Sequence, residues 1–138
     1  MKKQTLLLIA FISVILMSCS ANMMGDNSKL YSNTWELEYI TGPRITFQGL
    51  FPDDKPEIKL DKSTNMVMGT TGCNGYNTSY TMTGNKISFK VPVASTMRYC
   101  GDGEAVFLKT MQDVTNYRMT ADGKLELLMN DVVMMRFK

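Results

Sequence analysis

The residues able to do chemistry in this 138-residue chain are three cysteines, 13 methionines, 13 acidic and 15 basic side chains; there is no histidine. Without imidazole the commonest general base is missing. No Gly-x-Ser-x-Gly elbow or Ser-x-x-Lys pair replaces it around Ser79, Ser88, Ser95 or Thr96. Glu36 and Glu38 lie two apart in Trp35-Glu36-Leu37-Glu38-Tyr39. That alternation puts both carboxylates on the wet face of a strand and Trp35, Leu37 and Tyr39 on the other, so they read as a solvated face rather than a glycosidase pair. The stretch from Gly69 to Asn77 is rich in glycine but lacks the Gly-Lys-Ser or Gly-Lys-Thr ending of a phosphate loop. A zinc site would have to combine Cys73, Cys100 and carboxylates with no supporting spacing. Thioether copper ligation is weighed against core filling by Met66, Met68, Met82, Met111 and Met119, and core filling is favoured. The expectation is no enzyme, no metal and no cofactor.

Met1-Lys2-Lys3 followed by the apolar run Leu6 to Met17 reads as a signal peptide, too short to span a bilayer. Leu16-Met17-Ser18-Cys19 resembles a bacterial lipobox, which makes Cys19 the lipid attachment site and the mature first residue. Several acyl chains would hold the protein to a membrane permanently. Ser20 lacks the acidic character of an inner-membrane retention signal, so the expected address is the outer membrane of a bacterial cell envelope. With Lys2 and Lys3 removed, basic side chains equal the 13 acidic ones, and no nucleic-acid partner is expected.

In that oxidising compartment Cys73 and Cys100 are the pair free to join, and a disulfide is predicted; two neighbouring buried thiols are the alternative. A thioredoxin-like centre is disfavoured, since there is no Cys-x-x-Cys, although Arg98 two residues from Cys100 would lower its thiol pKa if exposed. Tyr76, Tyr80, Tyr99 and Tyr117 are expected at sheet rims with wet hydroxyls rather than along a ligand groove.

These residues must be held by a strand-rich frame. Alternation marks strands at 35–39, 57–61, 65–69, 78–83, 86–89, 117–119, 124–129 and 132–137, with Gly84-Asn85 as a hairpin turn and Pro92 as a break. Ile45, Phe47 and Phe51 are candidates to cover an open end of the core. One segment, 102–114, has helical spacing, with Phe107, Leu108, Met111 and Val114 near one face and Asp102 placed to cap its start. The predicted fold is mainly β, a strongly curved antiparallel sheet or small β-barrel closed by a single α-helix. Residues 1–18 are assigned to the leader, 19–32 to a tether and 33–138 to the domain.

The ordered set Gly69-Thr70-Thr71-Gly72-Cys73-Asn74, Tyr80, Thr96-Met97-Arg98-Tyr99-Cys100, Glu104-Ala105-Val106-Phe107, Met111 and Val114 resembles the META domain family, typified by the heat-shock protein HslJ. Trp35 to Leu37 resembles the family's first strand, and Leu125, Leu127 and Phe137 its last two. The resemblance implies a small envelope or secreted domain with a role in stress tolerance, drug resistance or virulence, and no general catalytic reaction. Gly72, Cys73, Asn74, Thr96, Cys100 and Glu104 match the motif. They are read structurally: Gly72 for turn geometry, Asn74 for side-chain bonding to that turn, Glu104 for the helix start. The leading functional expectation is a non-enzymatic, lipid-anchored domain that binds a protein or envelope component in stress tolerance. The alternatives are a carrier of a small apolar ligand and an inhibitor of an extracellular hydrolase presenting Phe51 to Pro56.

Overall fold

A computed structural model describes residues 27–42, 44–94, 96 and 98–138. The expected leader, Cys19 and most of the tether lie outside the described residues. Nine strands follow in the order β1 (Trp35–Ile40), β2 (Glu57–Asp61), β3 (Met66–Thr70), β4 (Gly75–Thr83), β5 (Lys86–Phe89), β6 (Val93–Ala94), β7 (Asn116–Met119), β8 (Leu125–Met129) and β9 (Val132–Phe137). Three helices accompany them: α1 (Ser28–Ser32), α2 (Phe47–Leu50) and α3 (Gly103–Gln112).

The strands form one antiparallel sheet in the order β3-β2-β1-β9-β8-β7-β5-β4-β6, and an additional β3–β4 pairing brings its two ends together. The curvature is concentrated in two shared strands. Gly75 to Ser79 of β4 pair with β3, while Tyr80 to Thr83 pair with β5. Likewise Trp35 and Glu36 of β1 pair with β2, whereas Leu37 to Ile40 pair with β9 across an irregularity between Leu37 and Tyr39. Between β5 and β7 the ladder is reduced to Lys86 opposite Asn116. The protein is therefore mainly β, as predicted, and takes the curved-sheet form rather than that of a regular barrel.

Alternation fills the interior. Trp35, Leu37, Ile58, Leu60, Val67, Leu125, Leu127, Met135 and Phe137 meet Phe107 and Met111 of α3 in a core from which each is almost wholly withdrawn from water. In β3 the phase runs opposite to expectation: Val67 points in, so Met66 is only half-buried and Met68 lies on the outer face. The rim reading of the tyrosines also fails for three of four. Tyr76, Tyr80 and Tyr117 are buried, and only Tyr99 is exposed. The Tyr76 and Tyr80 hydroxyls donate to the backbone carbonyls of Glu57 and Asp61 instead of to water. Burial, with Tyr31 close by, pushes the Tyr80 phenol up to about 12.

Two short helices, of five and four residues, accompany the predicted one. Four or five residues are too few to reveal a 3.6-residue period. In α1, Leu30 enters the core and its carbonyl accepts the Trp35 indole N–H at 3.1 Å, so the folded unit reaches back to Ser28 rather than starting at 33. Leu50 and Phe51, in and after α2, are buried, whereas Ile45 is exposed. Asp102 stands at the N-cap of α3 but makes no side-chain cap bond.

Candidate functional site

The motif residues meet where the turn between β3 and β4, the segment before α3 and the first turn of α3 come together. Thr71 organises the turn locally: its hydroxyl accepts from the Asn74 N–H at 2.9 Å, and its own N–H donates to the Asn74 carbonyl at 2.8 Å. Gly72, between them, has φ +82, and a Cβ there would run into the Asp54 carbonyl, so both backbone conformation and close approach demand glycine.

Asn74 is 2% exposed, and its amide is fully used. The Nδ2 group donates to Glu104 Oε2 and to the Arg98 carbonyl, each at 2.7 Å. Its Oδ1 accepts from Thr96 Oγ1 at 2.7 Å and from the Arg98 N–H at 3.0 Å. Two donors and two acceptors exhaust a primary amide. Asn74 thus bonds across the chain rather than to its own turn, as the sequence reading had it; Thr71 does the local work. Thr71 Oγ1 also lies 2.6 Å from Glu104 Oε2. Glu104 can reach both because it shares a face of α3 with Phe107 and Met111, three and seven residues onward. Gly103 lets the helix start sit directly against the Leu50 carbonyl and the Phe51 ring, where a side chain would collide.

Cys73 and Cys100 form a disulfide with their Cα atoms 5.9 Å apart. Gly72, Cys73, Asn74, Thr96, Cys100 and Glu104 are therefore all brought together, while Cys19 lies outside the described residues. Sequence reasoning did not single out Thr71 or the Arg98 backbone. Thr71 was detectable as a hydroxyl three residues before the asparagine of Gly72-Cys73-Asn74; Arg98 meets Asn74 through main-chain atoms, which leave no signal in residue type. The hollow beside the cluster, lined by Phe51, Thr71, Gly72, Cys100 and Glu104 among others, measures about 20 Å³, room for about one water. Among the described residues, no three His, Cys, Asp or Glu side chains group as metal ligands.

A second polar cluster lies on the outer sheet face. Register sets Arg118 and Arg136 on either side of Glu126, whose side chain is 3% exposed. Arg118 Nε donates to one carboxylate oxygen at 2.6 Å and Arg136 Nε to the other at 2.8 Å. Burial pushes this carboxyl up, but the bonds from Arg136 and Arg118 outweigh it and hold it below the ordinary 4.5. Glu36 and Glu38, read as a solvated face, are half-buried and paired, Glu36 with Lys55 and Lys138 and Glu38 with Lys124. Lys138 and Lys55 hold the Glu36 carboxyl low as well.

Exposed apolar side chains near the Asn74 cluster are Val91, Val93 and Tyr99, at 70%, 68% and 86% exposure. Val93 lies opposite Asn77 and the Val91 carbonyl lies near Thr78, along the first half of β4, while Tyr99 follows Arg98. The described chain enters at the other end of β4, where the Tyr31 hydroxyl touches Met82 Sδ at 3.3 Å and Lys62 sits over the Tyr31 ring. From Asn74 to Met82 an extended strand advances up to about 26 Å. Of the loop from Phe51 to Pro56, both named ends are buried, leaving Pro52 to Asp54 exposed. An open groove of about 430 Å³ is lined by Tyr31, Leu60 and Met68 with Lys59, Lys62 and Asp61.

Comparison with known proteins bears on the fold and the family. No curated protein matches the chain. An NMR structure of a protein from Burkholderia xenovorans has a TM-score of 0.58 and 21% identity over 79% of this chain and 82% of that one, a likeness of fold. The META domain family profile matches residues 28–138, beginning where α1 begins. With the match spanning the whole described domain, the chain belongs to the META domain family.

Proposed function

We propose that this is a non-enzymatic, lipid-anchored domain of the bacterial cell envelope, tied through Cys19 to the outer membrane, that binds a protein or other envelope component with the end of the domain bearing Val91, Val93 and Tyr99. The observation that carries this reading is the internal use of the motif: Asn74 directs all four amide valences, and Glu104 its Oε2, at neighbours within the same chain. Groups committed in that way are positioned to shape a surface rather than to turn over a substrate. The exposed apolar side chains and Arg98 then form the face on offer, away from the point beside Met82 where the described chain enters. A role in stress tolerance is part of the same proposal. It follows from the family resemblance.

Two measurements test it. Mass spectrometry of the native protein should find Cys19 acylated at the mature amino terminus. Affinity capture from detergent-solubilised envelopes should recover a reproducible partner that is lost with Val93→Asp and Tyr99→Ser. An intact leader, or recovery indifferent to those substitutions, would overturn the reading.

A further inference from the structure

We propose that the Cys73–Cys100 disulfide is a site of directional thiol–disulfide exchange, attacked at Cys73 by a small thiol and releasing Cys100 as the thiolate. Arg98 spans the bond. Its Nε lies 3.2 Å from Cys100 Sγ, while its carbonyl oxygen lies 3.3 Å from Cys73 Sγ. A guanidinium beside a sulfur stabilises negative charge there, whereas a carbonyl oxygen opposes it. Cys100 is thereby the better leaving group and Cys73 the electrophile, since a leaving thiol of lower pKa departs faster. Both cysteines are partly exposed and the Arg98 side chain is exposed, so a small thiol has access.

In the first step a thiolate RS⁻ bonds to Cys73 Sγ, the Cys73–Cys100 bond breaks, and its electron pair leaves on Cys100 Sγ beside Arg98. A second thiolate then attacks the sulfur of the R group, forming RSSR and releasing Cys73 as a thiolate; two thiols are oxidised and one protein disulfide is reduced. The loop does not come away with the bond. Asn74 still holds the Arg98 N–H, its carbonyl and Thr96, so cleavage frees Cys100 and the neighbouring Tyr99 from the turn while the cluster stays closed. This inference is independent of what the domain binds.

The test uses the full chain in detergent with reduced glutathione, acid-quenched and mapped by peptide mass. Early samples should carry glutathione on Cys73 with Cys100 free. Arg98→Ala should slow the appearance of the adduct about threefold, since the leaving sulfur loses its neighbouring positive charge, and Arg98→Lys should recover part of the rate. The melting temperature of each variant, measured alongside, separates a local rate effect from a loosened fold. An adduct mainly on Cys100, an unchanged rate in Arg98→Ala at equal melting temperature, or free thiols in the untreated native protein would each overturn the proposal.

Discussion

The Asn74 cluster and the Glu126 row solve the same problem, a buried polar group, by different means. Glu126 meets Arg118 and Arg136 at sequence separations of 8 and 10, because adjacent antiparallel strands place them side by side. Asn74 meets Thr96 and Glu104 across separations of 22 and 30, with no ladder to align them. The row relies on charge, so its strength depends on protonation. The cluster relies on the directional valences of an amide, two aimed at Arg98 main-chain atoms and two at the Thr96 and Glu104 side chains, and it fixes where one loop lies against one helix. A ladder supplies partners wherever strands pair, whereas a loop junction must be specified one hydrogen bond at a time.

The largest effect that would sharpen this contrast is Asn74→Ala. Leaving the Arg98 N–H and carbonyl without partners, and Glu104 short of one, should lower unfolding free energy by about 4 kcal/mol in urea titrations. A loss under about 1 kcal/mol would mean the disulfide alone holds the junction. Gly72→Ala should follow at about 3 kcal/mol, because positive φ and the Asp54 carbonyl both oppose a Cβ; chemical denaturation with intact Cys73–Cys100 is the check. Glu126→Gln comes next, at about 2 kcal/mol near neutral pH. Its carboxyl is depressed in the folded protein, so its contribution is complete above the ordinary value of 4.5 and fades as pH falls through the lower folded value. The wild type and Glu126→Gln should therefore converge on acidification, and a gap independent of pH would show that packing rather than charge holds the row. Glu36→Gln should have the smallest effect, under about 0.5 kcal/mol, since that pair is solvent-screened. A melting shift as large as that of Glu126→Gln would erase the distinction between buried and exposed pairs.

The same contrast explains which features could be read in advance. Strand alternation and the turn at Gly84-Asn85 are local, and once the strands are placed the register brings Arg118, Glu126 and Arg136 into line. The convergence of Gly72, Asn74, Thr96 and Glu104 was legible as a set through the family resemblance, but not in its bonding. Asn74 reads as a turn residue because asparagine usually is one; only the fold reveals Thr71 in that task. Glu104 had a usable signal in its spacing to Phe107 and Met111, masked by the equally good account of an acidic residue in a helix's first turn. Met66 and Met68 misled because methionine flanking valine fits either strand phase, and the buried Val67 decides it.

Trp35 is the sole tryptophan of the chain, and its indole sits almost dry against the Leu30 carbonyl. The protein consequently carries its own optical probe at the point where the amino-terminal segment joins the sheet. Emission should be blue-shifted while α1 is seated and should move to longer wavelength when that helix lifts away. Denaturant, salt or a candidate ligand can each be titrated and followed at that wavelength without attaching a dye.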